Sequence, residues 1–153
     1  SDAKAELARA HGCDHAIVEL RENFAERVRE ITGGAGVPVV YDSVGKDSFE
    51  ASLNSLHARG FFVSFGSTTG APPPVPAGLL QKMGSLYFTR PTLTTYNATT
   101  QELRESASSV FELCRVGALK VSIHQRYALG DIAQAHADLE SGRTKGSSVI
   151  FPN

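Results

Sequence analysis

The sequence predicts an α/β fold built on a parallel sheet. Short apolar runs typical of buried strands alternate with segments whose apolar residues recur at helical spacing. No internal repeat interrupts this alternation, and the most apolar run spans residues 61–65. With 153 residues, 41% of them hydrophobic, the chain is long enough to bury a core of its own. We therefore expect a parallel sheet with helices on both faces.

The first 65 residues contain three predicted helices and three apolar runs. Glycines end the helices, because glycine readily adopts the conformation that follows a helix. The apolar runs span residues 15–18, 37–41 and 61–65, and a proline is tolerated near the start of the second run. The residues at helical spacing are Ala3, Leu7 and Ala10, then Phe24, Val28 and Ile31, then Phe49, Leu53 and Leu56, followed by Gly12, Gly33–Gly34 and Gly60 respectively.

A long loop at residues 66–78 divides the chain. Its glycine, serine, threonine and proline content, with three consecutive prolines at 72–74, prevents any regular element from continuing through it. Beyond the loop we predict a short turn at 79–83, a strand at 85–89, a helix at 100–115, a strand at 119–124, a helix at 131–140 and a final strand at 147–151.

Charge and composition argue against several classes of partner. The net charge of −1 comes from interspersed acidic and basic residues, so the chain offers no basic stripe for nucleic acid and no polybasic anchor for a membrane. No apolar run approaches the roughly 20 residues of a membrane span. Two cysteines favour a reducing, cytoplasmic setting, and the five histidines lack zinc-binding spacing. The residues at 66–70 do not match the G-x-S-x-G pattern of serine hydrolases.

Three segments follow predicted strands and therefore mark the expected ligand-binding edge. In open parallel sheets, ligands bind outside the carboxyl ends of the strands. The segments are residues 42–45, 66–70 and 89–91, and small residues in the first two allow the backbone to approach a ligand closely. An ordinary strand-to-helix turn or a flexible loop explains the same composition equally well.

The glycine-rich turn of a complete dinucleotide-binding domain is absent from the sequence. That turn, G-x-G-x-x-G, follows a strand and begins a helix. Here Gly33, Gly34 and Gly36 follow a helix and precede a strand. Either the protein is another kind of α/β domain, or the sequence begins after the unit that carries the turn.

Several ordered stretches resemble the quinone oxidoreductase and ζ-crystallin branch of the medium-chain dehydrogenase/reductase family. Each stretch alone is weak, but their order and spacing across nearly the whole chain are specific. The stretches are EITGG at 30–34, VVYDSVG at 39–45, Gly60 followed by VSFG at 63–66, KMGSLYFTRP at 82–91, Ala135-His136 with Leu139-Glu140-Ser141, and Thr144 followed by Gly146-Ser147-Ser148.

The resemblance implies a partial Rossmann domain at residues 1–98 that lacks its first strand, glycine-rich turn and helix. Residues 99–153 would form a strand–helix–strand segment returning toward a catalytic domain that precedes residue 1. The full-length protein would transfer hydride from NADPH to quinones or related unsaturated carbonyls without zinc. The chain alone would be inactive, and no catalytic residue is assigned. Family members dimerise through the Rossmann sheet, so a homodimer is expected, with residues 85–89 as the candidate edge.

The same resemblance assigns cofactor contacts. Lys4 would contact the 2′-phosphate of NADPH, and Ser43 and Val44 would line the adenosine or ribose side. The nicotinamide would be bordered by Phe65, Gly66, Ser67 and Thr68, and its carboxamide would be met by the main chain of Tyr87, Phe88 and Thr89. Lys4 also fits a solvated helix lysine, and Tyr87 a strand-core or interface residue.

Glu19 departs from the family pattern, which often has a tyrosine or histidine near the adenine and the 2′-phosphate. A carboxylate there repels a phosphate and tolerates a ribose 2′-hydroxyl, so NADH stays possible. The competing hypothesis is a stand-alone α/β nucleotide-binding or interaction module without redox activity.

Overall fold

A computed structural model describes residues 1–19 and 21–152. The described residues form two compact units, Ser1–Tyr96 and Asn97–Asn153. The first unit contains α1 (Asp2–Ala10), α2 (Phe24–Ile31), β1 (Val37–Asp42), α3 (Phe49–Ser55), β2 (Leu56–Ser64), α4 (Ala77–Lys82), β3 (Tyr87–Thr89) and α5 (Leu93–Tyr96). The second contains α6 (Thr100–Arg115), β4 (Ile123–Ala128), a 3₁₀ turn (Leu129–Asp131), α7 (Ile132–Glu140) and β5 (Ser147–Phe151).

The first unit is built on a three-stranded parallel sheet in the order β1-β2-β3. Val40, Phe62 and Phe88 lie side by side across the three strands. Because the strands run in the same direction, all three carboxyl ends meet at one edge of the sheet. The predicted parallel α/β architecture is confirmed.

One face of this sheet carries the hydrophobic core. Phe62 is only 1% exposed, and its ring centroid lies 5.6 Å from that of Phe49 on α3 and 5.2 Å from that of Phe88 on β3. Leu53 completes this contact from α3, and Leu79 and Leu80 of α4 pack against the cluster. Alternation along each strand places these residues on a single side.

The opposite face of the sheet is open to solvent. Tyr41 is 74% exposed, and Phe61 and Tyr87 stack on each other with ring centroids 4.5 Å apart while both stay about half exposed. In the part of the chain that the structure describes, helices cover one face of this sheet, whereas the sequence predicted helices on both.

Hydrogen bonds to helix ends explain where several elements begin and end. The Asn23 side chain accepts from the N–H groups of Ala25 and Glu26 and so begins α2. The Arg29 guanidinium donates to the carbonyls of Asn54 and Leu56 at 2.6–3.0 Å. It thereby pairs carbonyls at the junction where α3 ends and β2 begins.

The second unit is a strand–helix–strand arrangement preceded by a long helix. A capping box between Thr99 and Glu102 begins α6. The parallel pair β4–β5 is joined by α7, and Tyr127 of β4 donates a hydrogen bond of 3.0 Å to Asp138 of α7. No helix among the described residues has the length and apolar character needed to cross a membrane.

Several boundaries differ from the prediction. Residues 15–18 form no strand, because the described residues offer them no partner strand. Leu56 begins β2 instead of continuing α3, and it pairs with Val37 of β1. The third strand is shorter than residues 85–89, since Ser85 has a positive φ of 58°. The strand predicted at 119–124 begins at Ile123, because the Leu119 N–H donates to the Leu113 carbonyl and so belongs to the end of α6.

Candidate functional site

Two loops at the carboxyl ends of β1 and β2 are joined by main-chain hydrogen bonds. Loop 1 is residues 43–46 and loop 2 is residues 65–70. The N–H groups of Thr68 and Thr69 donate to the carbonyls of Ser43 and Val44 at 3.2 and 3.0 Å. In return the Lys46 N–H donates to a loop 2 carbonyl at 3.0 Å. The two loops therefore form a single surface at the sheet edge where parallel sheets bind ligands.

Glycine makes this close approach possible at two positions. A Cβ built on Gly66 would lie 2.5–2.9 Å from the backbone atoms of Ser43. A Cβ built on Gly45, whose φ is +93°, would collide with the Gly70 carbonyl oxygen. Both contacts are with backbone atoms, which cannot rotate away, so a side chain at either position would separate the loops.

A buried carboxylate supports loop 1 from beneath. Asp42 is 4% exposed and accepts from the N–H groups of Val44 and Gly45, both at 2.9 Å. It also accepts from the hydroxyls of Ser48 and Ser52 at 2.6 and 2.7 Å. Burial alone raises the pKa of the Asp42 carboxyl, but these four hydrogen bonds outweigh burial and hold its pKa below the ordinary value.

The N–H groups of the loops are largely occupied by acceptors of the protein itself. Besides those already described, the N–H groups of Phe65 and Gly66 donate to the Asp42 carbonyl, and that of Gly70 donates to the Ser67 carbonyl. Phosphate sites in α/β proteins present unpaired N–H groups to the anion. This loop pair is therefore suited to an uncharged part of a ligand, through its hydroxyls, carbonyls and shape.

Arg90 holds the other side of loop 2. It directly follows β3, and its guanidinium donates to the Ser64 hydroxyl at 3.0 Å, the Gly66 carbonyl at 2.6 Å and the Ser67 hydroxyl at 3.1 Å. Ser64 is 1% exposed and pairs with Asp42 across the sheet. Charged side chains thus anchor both loops, one from each neighbouring strand.

A groove of about 290 Å³ opens beside loop 1. Val44 forms one wall, and Phe24 and Ala51 add apolar surface. Glu19 and Asp47 also line the groove, so its rim is acidic. The remaining lining residues are Glu22, Asn23 and Ser48.

The predicted site residues are partly brought together. Ser43, Val44, Gly66 and Thr68 meet in the loop pair, with Phe65 and Ser67 beside them.

The predicted residues on β3 lie in the sheet. Thr89 pairs with Val63, and Tyr87 lies on the open face, two residues farther from the loops. The Phe88 side chain packs in the core against Phe49 and Phe62, so only its main chain can face a ligand. Lys4 is exposed on α1, and the contacts that join the loops do not involve it. The ligand contacts predicted for these residues stay predictions.

Two anchors of the site were not among the predicted residues. Asp42 and Arg90 stand directly at strand ends, which the sequence marked as the ligand-binding edge. A charged residue adjoining buried strands is the signal that could have identified them, because such groups are seldom buried without partners. Within residues 1–19 and 21–152, no three histidine, cysteine, aspartate or glutamate side chains cluster as metal ligands.

Comparison with known proteins gives consistent matches along the chain. A family model described as zinc-binding dehydrogenase matches residues 11–150. Among curated proteins, quinone oxidoreductase of Pseudomonas aeruginosa is 47% identical over 152 residues, which cover 99% of this chain and 47% of that protein. A 2-haloacrylate reductase of Burkholderia sp is 40% identical, with 99% of this chain and 46% of that protein covered.

Solved structures agree with the sequence matches. Escherichia coli quinone oxidoreductase complexed with NADPH superposes with a TM-score of 0.94 at 45% identity, covering 99% of this chain and 47% of that one. A Pseudomonas syringae quinone oxidoreductase gives a TM-score of 0.93 at 42% identity, with the same coverage. The chain spans about half the length of the relatives it matches.

Proposed function

Because the chain belongs to the zinc-binding dehydrogenase family, we propose that it is the nucleotide-binding part of an NADPH-dependent quinone oxidoreductase. The full-length protein transfers hydride from NADPH to a quinone or a related unsaturated carbonyl. This chain positions the nicotinamide, and residues outside it complete the catalytic site. The chain alone is inactive.

The observation that carries this proposal is the joined loop pair at the carboxyl ends of β1 and β2. Its N–H groups donate to protein acceptors, so it fits the uncharged parts of NADPH, its ribose and dihydronicotinamide ring, better than the pyrophosphate. Relatives complexed with NADPH match 99% of this chain at 40–45% identity. The cofactor supplies the hydride when it is bound.

Each site residue has a defined role in this proposal. Phe65, Gly66, Ser67 and Thr68 border the nicotinamide and fix its orientation relative to the acceptor. Ser43 and Val44 line the adenosine or ribose side, where the groove begins. The main chain of Tyr87, Phe88 and Thr89 meets the carboxamide, and Lys4 contacts the 2′-phosphate.

Steady-state kinetics of the full-length protein test the proposal. NADPH oxidation is followed at 340 nm with 1,4-benzoquinone as acceptor, and the isolated chain of residues 1–153 is assayed beside it. We expect turnover by the full-length protein and none by the isolated chain. A full-length protein that neither binds nor oxidises NADPH would instead favour a nucleotide-binding or interaction module without redox activity.

Cofactor preference depends on opposing charges. Lys4 favours the 2′-phosphate, whereas Glu19 places a carboxylate on the groove that Val44 also lines. Replacing Glu19 with glutamine is expected to raise the NADPH-to-NADH ratio of kcat/KM about 3- to 10-fold, because one screened repulsion of about 1 kcal/mol is removed. The control Glu140→Gln makes the same charge change on α7. An unchanged NADPH-to-NADH ratio in Glu19→Gln would show that Glu19 does not lie near the 2′-phosphate.

Residues 99–153 complete the proposal as the segment that packs toward the catalytic domain, with residues 1–98 as the partial Rossmann domain. The α6 helix supports this division, since Leu103, Phe111 and Leu113 are all about half exposed or more. Such apolar side chains are suited to burial against another part of a longer protein. We place the protein in the cytoplasm and its chemistry without zinc.

The full-length protein is proposed to be a homodimer that pairs through the edge of the sheet. β3 is an edge strand in the order β1-β2-β3, and its exposed Tyr87 adds apolar surface. We expect sedimentation velocity of the full-length protein to give twice the monomer mass. A monomer at about 100 μM, a concentration far above the dissociation constant of a stable dimer, would contradict this pairing.

A further inference from the structure

Arg90 makes an unusual set of contacts for a residue at the end of an edge strand. Its guanidinium reaches three acceptors within 3.1 Å, and all of them lie at the end of β2 or in loop 2. One nitrogen donates to both the Ser64 hydroxyl and the Gly66 carbonyl, and the other donates to the Ser67 hydroxyl. Arginine suits such an arrangement because its planar group presents several donors in fixed directions.

These contacts determine where the first turn of loop 2 lies. Ser64 is buried and anchors one end of the guanidinium within the sheet. The Gly66 carbonyl and the Ser67 hydroxyl are then held at fixed distances from that anchor. Loop 1 restrains the same turn from the other side, since Gly66 packs against Ser43. The turn is therefore fixed from two directions, and Arg90 supplies the side-chain contacts from β3.

We propose that Arg90 is a positioning residue for hydride transfer, which acts through Gly66 and Ser67. By fixing this turn it sets the depth and tilt of the nicotinamide, while the adenosine end of the cofactor binds independently of it. This inference rests on the proposed function, because it takes loop 2 as the nicotinamide border. It adds a residue whose substitution changes the reaction step and leaves adenosine binding intact.

The test uses the full-length protein with Arg90→Lys and Arg90→Ala. Lysine keeps the charge but cannot reach the three acceptors with one planar group. For both variants we expect the hydride-transfer rate, measured in single turnovers with 1,4-benzoquinone, to fall about 10- to 100-fold, because a small displacement of the reacting atoms has effects of this size. The dissociation constant for 2′,5′-ADP, which lacks the nicotinamide, should stay within twofold of wild type.

Controls separate positioning from folding. Arg104→Ala removes the same charge from α6 and should leave both readouts unchanged. Thermal unfolding establishes that a variant is folded, and Arg90→Lys decides the matter if Arg90→Ala does not fold. Free guanidinium added to Arg90→Ala should restore part of the hydride-transfer rate, which a general loss of structure would not allow.

Three results would overturn the inference. A hydride-transfer rate within twofold of wild type in both variants would show that Arg90 does not position the nicotinamide. A loss of 2′,5′-ADP affinity as large as the loss of rate would show that its role is structural only. Both leave the proposed function intact, because the wild-type protein still oxidises NADPH. A wild-type protein that neither binds 2′,5′-ADP nor oxidises NADPH instead overturns the proposed function, and this inference with it.

Discussion

Replacement of Phe62 by alanine is expected to lower the free energy of unfolding of the chain by about 3–5 kcal/mol, the range measured for buried phenylalanines. Phe62 is 1% exposed and contacts the rings of Phe49 and Phe88 at the centre of the covered face. Its removal leaves a cavity beneath the middle strand. Urea denaturation followed by far-ultraviolet circular dichroism measures the effect.

The adjacent residue provides a matched control. Phe61 has the same side chain on the same strand, but it points to the open face and is 47% exposed. Replacing Phe61 with alanine should cost only about 1 kcal/mol, mainly the stacking on Tyr87. Equal losses for the two variants would contradict the assignment of the covered and open faces.

Replacement of Asp42 by alanine is expected to lower the free energy of unfolding by about 3 kcal/mol, because buried donors lose their acceptor. Two N–H groups of loop 1 and the hydroxyls of Ser48 and Ser52 all donate to this carboxylate. Asp42→Asn keeps an acceptor oxygen and should lose less. Asp47→Ala, which removes an exposed carboxylate nearby, should change stability by less than about 0.5 kcal/mol.

The Asp42 contribution should depend on pH in one direction. The folded-state pKa of this carboxyl lies below its ordinary value of 3.8, so the folded state favours the ionised form. The stabilisation is fully present above pH values near 3.8 and is lost as the pH falls through the lower folded-state pKa. Wild type should therefore lose more stability than Asp42→Ala on acidification below that value. Parallel acid profiles of the two proteins would show that Asp42 is not the group responsible.

Periodicity predicted the elements of this fold that depend on local sequence. The helices around Phe24 and Val28 and along residues 100–115 form where apolar spacing indicated. The last strand lies at residues 147–151 as predicted. These segments form where propensity, capping and burial agree.

The errors arise where hydrogen-bond partners, rather than residue composition, decide the structure. Residues 15–18 have the composition of a strand but lack a neighbouring strand in the described part of the chain. Leu119 follows a strand-like alternation, yet its N–H pairs with the end of α6. The spacing and hydrophobicity of residues cannot reveal such hydrogen bonds, because the partners meet only in the folded chain.

The sequence predicted where the site lies but not which side chains hold its loops in place. The carboxyl ends of the strands marked loops 1 and 2, and the resemblance assigned Ser43, Val44 and Gly66 to them. The role of Asp42 depends on hydrogen bonds from loop 1 and from the Ser48 and Ser52 hydroxyls. The role of Arg90 depends on contacts with the end of β2 and with loop 2. Only the folded arrangement shows that charged side chains anchor both loops.

A crystal structure of the full-length protein with NADPH would locate both ends of the cofactor. We expect a nicotinamide ring in contact with residues 65–68 and the adenosine or ribose side of the cofactor beside Ser43 and Val44, with the Arg90 contacts to Gly66 and Ser67 retained. A nicotinamide bound away from loop 2, or a pyrophosphate held by the N–H groups of the loop pair, would contradict this expectation.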